Sequence, residues 1–157
     1  MAKHVLITGA SQGAGRATAL YFARQGWDVT LAARSGRTLA AAADEVRALG
    51  RQARAVLTDV GDAAQVQTLV DKALDTHGRV DALVNNAGIC LTGPAVSTSL
   101  EDWHQIIDTN LWGCIHTIQA LLPTFLDQGS GTIINVGSFG GKMPLPHMSA
   151  YCTSKYA

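Results

Sequence analysis

An apolar run, Val5-Leu6-Ile7, leads into Thr8-Gly9-Ala10-Ser11-Gln12-Gly13-Ala14-Gly15, and an alanine-rich helical stretch follows. Glycines at 9, 13 and 15 let the backbone turn sharply and approach another group closely, while the first turn of the next helix offers free N–H groups and a partial positive charge. Strand, glycine turn and helix in that order open a βαβ unit, which commits the chain to parallel strands joined by crossover helices. The spacing is Gly-x-x-x-Gly-x-Gly rather than the Gly-x-Gly-x-x-Gly of the usual dinucleotide fingerprint. Gly9, Ser11, Gln12, Gly13, Ala14 and Gly15 are therefore candidate contacts to a diphosphate, with a plain tight turn as the alternative.

The rest of the chain keeps the alternation expected of an α/β, doubly wound parallel sheet. Strands are predicted at His4–Thr8, Val29–Ala33, Ala55–Thr58, Val80–Val84 and Thr132–Val136. Helices are predicted from Ala14 to Gln25, from Arg37 to Leu49, and after an Asp62 N-cap, with Gly26, Gly50 and Gly78 as their stops. Ser99-Leu100-Glu101-Asp102 begins a long helical stretch running past Asn110 towards Pro123, with Asp102 near the positive end of the helix dipole. Gly140, Gly141, Pro144 and Pro146 make a loop, and Ser149 is the expected cap of a last helix carrying Tyr151 and Lys155. We read residues 1–157 as a single dinucleotide-binding domain, incomplete at its C-terminus: the last helix is short for an unsupported one, and the fifth strand would be an uncovered edge.

Composition removes several classes of function. Twelve basic and twelve acidic side chains leave no net field to attract nucleic acid or an anionic membrane. No apolar run approaches the roughly 18 residues of a spanning helix, and the first one breaks at Thr8-Gly9 before a signal-peptide core could form, so a cytoplasmic location is expected. Cys90, Cys114 and Cys152 are scattered and odd in number, and the five histidines form no ligand cluster, so neither a disulfide framework nor a metal site is expected.

Two places carry chemistry. After the second strand, Leu31-Ala32-Ala33-Arg34-Ser35 lacks the carboxylate that would bind an adenosine ribose; Arg34 and Ser35 can instead bond a 2′-phosphate, with Arg37 adding positive potential. NADP is the expected cofactor, NAD the less favoured one. Near the C-terminus, Tyr151 and Lys155 stand four residues apart, the helical spacing that puts two side chains on one face. An ammonium beside a phenol, whose ordinary pKa is about 10, favours the phenolate and makes proton exchange near neutrality accessible. Cys152 points elsewhere on that helix and has no histidine to activate it.

With these features the sequence resembles the short-chain dehydrogenase/reductase family, in its compact form with a Thr-Gly-x-x-x-Gly-x-Gly turn. The likeness spans the whole chain and includes Asp59-Val60, Asn85-Asn86-Ala87-Gly88, Asn110, Ser138 and Tyr151-x-x-x-Lys155. The resemblance implies a Rossmann-type sheet ordered 3-2-1-4-5, here lacking the family's last two strands and substrate lid. It further implies that Asp59 contacts the adenine amino group with Val60 beside it, and that Asn86, Ala87 and Gly88 line the cofactor site. Asn and Gly there also suit unusual dihedrals at a strand end.

The implied activity is interconversion of a carbonyl and a secondary alcohol. Tyr151 is the proton donor, Ser138 holds the carbonyl oxygen, Lys155 binds the nicotinamide ribose, and Asn110 anchors a water that resupplies the proton. The expected partner is a small carbonyl or alcohol substrate, and a homo-oligomer is expected of the complete protein. Phe139, Met143, Leu145 and Met148, with Ile89 and Leu91, suggest either an apolar visible half of the pocket or a surface that packs against a further C-terminal part. A non-catalytic dinucleotide sensor is the rival reading, and an epimerase or dehydratase of the extended branch a third.

Overall fold

The computed structural model describes residues 2–157. Five parallel strands, β1 (His4–Thr8), β2 (Asp28–Ala33), β3 (Ala53–Leu57), β4 (Ala82–Asn85) and β5 (Thr132–Asn135), form one sheet in the order β3-β2-β1-β4-β5. Helices α1 (Gly13–Arg24), α2 (Gly36–Ala48), α3 (Ala63–His77), α4 (Leu100–Ile107), α5 (Gly113–Gln128) and α6 (Ser149–Tyr156) accompany them. A π-helical turn, Asp108–Trp112, joins α4 to α5. This is the Rossmann-type architecture expected from the alternation of strands and helices.

Strand periodicity divides the core into two layers, because successive side chains point to opposite faces. Val5 and Ile7 of β1, with Val29 and Leu31 of β2 and Ala82 and Val84 of β4, pack with Ala19, Ala23, Leu39, Ala43 and Val46 of α1 and α2. The intervening Leu6, Ala32 and Leu83 pack with Leu69, Val70 and Ala73 of α3 and Leu121 and Phe125 of α5. Leu6, Leu69, Leu83 and Leu121 are fully buried, each contributing roughly 1.5–3 kcal/mol. All of β1 is buried, as befits a strand covered on both faces. Among the described residues β5 pairs with β4 alone, and all four of its residues are exposed.

Local sequence accounts for most boundaries. The Asp62 carboxylate accepts bonds from the Ala64 and Gln65 amides at 2.9 and 3.2 Å and starts α3. Ser99 and Asp102 form a reciprocal capping box at the start of α4, a stronger tie than the dipole term alone. Two expectations are corrected. Ser149 does not cap α6: it is the first helical residue, after Met148, whose side chain makes no capping bond. The helix also does not stop near Pro123 but passes through it to Gln128. Burial of Leu121 and Phe125 on the same helix outweighs the cost of an interior proline, about 3 kcal/mol. Strand three begins earlier than predicted, at Ala53, and strand four later, at Ala82.

The chain steps outward from β1 in both directions, to β2 on one side and to β4 on the other. At such a switch point the loops at the carboxyl ends of the strands diverge and leave a crevice.

Candidate functional site

That crevice is a cleft of about 530 Å³, within the roughly 300–1,000 Å³ usual for ligand sites. Gly9, Ser11, Gln12 and Gly13 line it from the glycine turn, Arg34 and Ser35 from the end of β2, Asp59 and Val60 from the end of β3, and Asn86, Ala87 and Gly88 from the end of β4. Ile89, expected on the substrate side, completes the wall together with Thr58 and Thr109, which sequence reasoning did not single out. Ala14 and Gly15 lie behind it in the first turn of α1.

The turn works by close approach. Gly9 has φ +64°, and a Cβ there would come within 2.8 Å of both Ala87 Cα and Asn86 Nδ2. Gly15 is buried, and a Cβ on it would collide with the Gly9 carbonyl. Gly13, at φ +55°, faces open space, where a diphosphate has room. Gln12, the N-cap of α1, makes no side-chain bond to the helix, so the first-turn N–H groups are left for an anion.

Thr8 ties the two sides of the cleft. Its hydroxyl accepts from the Asn86 and Ala87 amides at 3.1 and 3.0 Å, and the Asn86 side chain donates to the Thr8 and Gly9 carbonyls at 3.1 and 3.2 Å. The Asn86 amide therefore holds the turn together, and it is the backbone of the segment that borders the cleft. Unusual dihedrals are not the reason for this composition: among the described residues the positive-φ positions do not include Asn85–Gly88. Asn85 instead bonds across the sheet, donating to Asn135 at 3.0 Å and accepting from Thr117 at 2.7 Å.

Arg34 reaches the rim, half exposed, with its guanidinium 3.9 Å from the Asp59 carboxylate. Asp59 also accepts from the Gly61 amide at 3.0 Å, which fixes its direction. Ser35 is the N-cap of α2 but makes no side-chain bond to that helix's amides; its hydroxyl receives one from the Thr38 hydroxyl at 2.9 Å.

Beside the cleft, Lys155 Nζ donates to the Val136 carbonyl at 3.2 Å. A Cβ added to Gly88 would stand 3.7 Å from Lys155 Nζ and 3.4 Å from Asn110 Oδ1, so all three residues meet at the cleft wall. Ser138 Oγ accepts from the Gly140 amide at 3.1 Å, and the Tyr151 ring lies so close to Gly140 that a Cβ there would be 3.0 Å from Cε1. Ser138 and Tyr151 thus both abut Gly140. Asn110, in the π turn, spends its side chain on protein: it accepts from the Ile89 amide at 2.8 Å and donates to the Ile89 carbonyl and to Ser154 Oγ, both at 2.9 Å.

The thiols are held in their neutral or buried forms. Burial pushes the Cys114 and Cys90 thiols up from their ordinary values, away from the thiolate. Cys152 is buried and receives a bond from the Leu145 amide at 3.4 Å. Among the described residues no group of three or more His, Cys, Asp or Glu side chains is arranged to hold a metal, and no helix is long and apolar enough to cross a membrane. Phe139 and Met143 beyond Ser138, and Leu91 beyond the asparagine turn, are exposed.

The short chain dehydrogenase family profile matches residues 3–157. Sulfoacetaldehyde reductase 2 of Chromohalobacter salexigens is 43% identical over 157 residues, 99% of this chain and 62% of the relative. A 3-oxoacyl-(acyl-carrier-protein) reductase of Staphylococcus aureus is 36% identical over 156 residues, 99% of this chain and 63% of the relative. A short chain dehydrogenase/reductase from Burkholderia phymatum, solved in complex with NAD, superposes with a TM-score of 0.97 at 38% identity, covering 99% of this chain and 56% of that one. The chain thus spans less than two thirds of the length of these relatives. A switch-point cleft with a close-packed glycine mouth, and a profile match running almost from end to end, identify the chain as a member of the short-chain dehydrogenase/reductase family.

Proposed function

We propose that the protein is an NADP(H)-dependent oxidoreductase interconverting a carbonyl and a secondary alcohol, with Tyr151 as proton donor. The observation that carries this reading is the meeting of Lys155 and Asn110 at Gly88, in the cleft wall, while the preceding turn of the same helix brings Tyr151 against the Ser138 loop. A proton-handling pair thereby adjoins a cleft shaped for a dinucleotide. A non-catalytic sensor has no need of that pair.

The residues fit the nucleotide in kind. Gly13 leaves space for a diphosphate at the start of α1, and Gly9 lets the chain pass close under it. At the other end, the first turn of α2 lacks a side-chain cap, and with Arg34 and Ser35 it offers cation, hydroxyl and N–H donors to a 2′-phosphate. The Asp59 carboxylate, 3.9 Å from the Arg34 guanidinium, opposes that anion in part. The nicotinamide group, when bound, supplies or accepts hydride.

The chain's own groups handle the oxygen and its proton. Ser138 Oγ donates to the substrate oxygen as negative charge grows on it, and Tyr151 delivers the proton. Lys155, whose ammonium borders Gly88 in the cleft wall, presents positive charge toward the ribose. Asn110 holds the Ile89 backbone and α6 in register: both Nδ2 hydrogens go to protein and Oδ1 accepts from the Ile89 amide, which leaves its second lone pair for the water that resupplies the proton. The exposed Phe139 and Met143 after Ser138, with exposed Leu91, favour substrates with an apolar portion. The test is Tyr151→Phe: NADPH binding stays near wild type while carbonyl reduction falls by about 10²–10⁴-fold, and turnover at the wild-type rate refutes the assignment.

A further inference from the structure

Ser154 lies between Tyr151 and Lys155 and is 4% exposed, as is Asn110, 44 residues earlier. Its hydroxyl donates to the Tyr151 carbonyl at 2.7 Å, a group that can only accept. The hydroxyl oxygen is then turned to receive Asn110 Nδ2 at 2.9 Å. The remaining bonds of Asn110 go to both backbone groups of Ile89, whose N–H requires Oδ1 and whose carbonyl requires Nδ2. Donor and acceptor roles are therefore fixed at every link, leaving the amide no alternative orientation. The result is a buried line of hydrogen bonds from Tyr151 through Ser154 and Asn110 to Ile89, a residue of the cleft wall.

We propose that Ser154 is a positioning residue, which through Asn110 locks the helix carrying Tyr151 to the cleft wall at Ile89. The inference rests on the reading of Tyr151 as proton donor and deepens it. Three separate segments meet in this line: the loop after β4, the π turn and α6. The π turn sets the Asn110 amide between the other two, with the neighbouring Cys114 thiol bonded to the Asn110 carbonyl at 3.5 Å. Ser154 is the side chain that α6 contributes to this line, and without it the phenol's helix keeps its packing but loses its tether to the wall against which the nicotinamide end would lie.

The test uses Ser154→Ala and Ser154→Cys, which remove the strong hydroxyl bonds at nearly unchanged volume, and Ser154→Thr, which restores them. Two readouts are taken on the purified protein: hydrogen exchange of the Ile89 amide, and steady-state reduction of a carbonyl substrate with NADPH. The Ala and Cys variants speed Ile89 exchange about tenfold or more, because Asn110 is freed to rotate. They lower kcat by about 10–100-fold while the NADPH dissociation constant changes less than about threefold, since a displacement of about 1 Å is enough for such a loss. Ser154→Thr recovers both. Unchanged Ile89 exchange overturns the proposal, and so does a variant that melts earlier yet turns over at the wild-type rate. If Tyr151→Phe proves as active as wild type, the proton-donor reading falls, and Ile89 exchange still decides whether the tether exists.

Discussion

Gly15 shows how much one missing Cβ can organise, since a methyl there would strike the Gly9 carbonyl and the Asn86 amide. Gly15→Ala is expected to lower stability by about 1–3 kcal/mol and to weaken NADPH binding, because the turn that opens the cleft must shift. Chemical denaturation with an unchanged midpoint would refute this. Arg34 predicts a second outcome. Arg34→Ala should weaken NADPH about 10–100-fold while leaving NADH nearly unaffected, the size of a lost hydrogen bond to a charged group. Parallel titrations check it, and equal losses for the two nucleotides would remove Arg34 from 2′-phosphate recognition. At this scale the sequence disclosed which residue types border the cleft but not how they are tied. Thr8 was visible as a strand end and the first residue of the turn but not as a tie, because its hydroxyl bonds are made 78 and 79 residues away. Ser154 carried a fainter signal: it stands four residues after Ala150 on the buried side of α6, where a hydroxyl requires a partner.

Among the elements, those set by local rules were legible and those set by packing were not. Asp62 caps α3 as its position before an apolar stripe implied. Asp62→Ala should lower the melting temperature by a few degrees, whereas Asp62→Asn, itself a good cap, should change it little; equal losses in calorimetry would argue against the capping role. The passage of α5 through Pro123 was hidden, since proline normally argues for a stop and only tertiary burial of Leu121 and Phe125 carries the helix past it. The π turn at Asp108–Trp112 was hidden for another reason: one inserted residue leaves no periodic trace in so short a window. Without that turn there is no account of why Asn110, in mid-helix, points at the Ile89 backbone.

For the whole molecule, stability should depend on acid through the amino ends of the strands, far from the cleft. His4 is 1% exposed; its Nδ1 contacts the Arg79 carbonyl at 2.5 Å and its Nε2 the Thr30 hydroxyl at 2.9 Å. Burial, with a smaller repulsion from His77, outweighs the Arg79 carbonyl, Asp28 and Asp81 and lowers its pKa from 6.5 to about 4. A depressed histidine favours the neutral native form, so its stabilisation is complete above pH 6.5 and is lost as pH falls from there towards 4. The shift corresponds to about 3 kcal/mol, and His77, also depressed by burial, acts in the same direction. Urea midpoints should hold above neutrality and drop between pH 6.5 and 4; a flat profile over that window would count against the assignment. The parallel sheet also sets an order of events. β1 pairs with β2 across 24 positions and with β4 across 77, in the registers His4 to Asp28 and Val5 to Ala82. The central strand must therefore wait, half partnered, until a second neighbour emerges from the ribosome. Loop-closure entropy makes such pairings slow, so the glycine-lined cleft between β1 and β4 is completed late, when both partners of the central strand are in place.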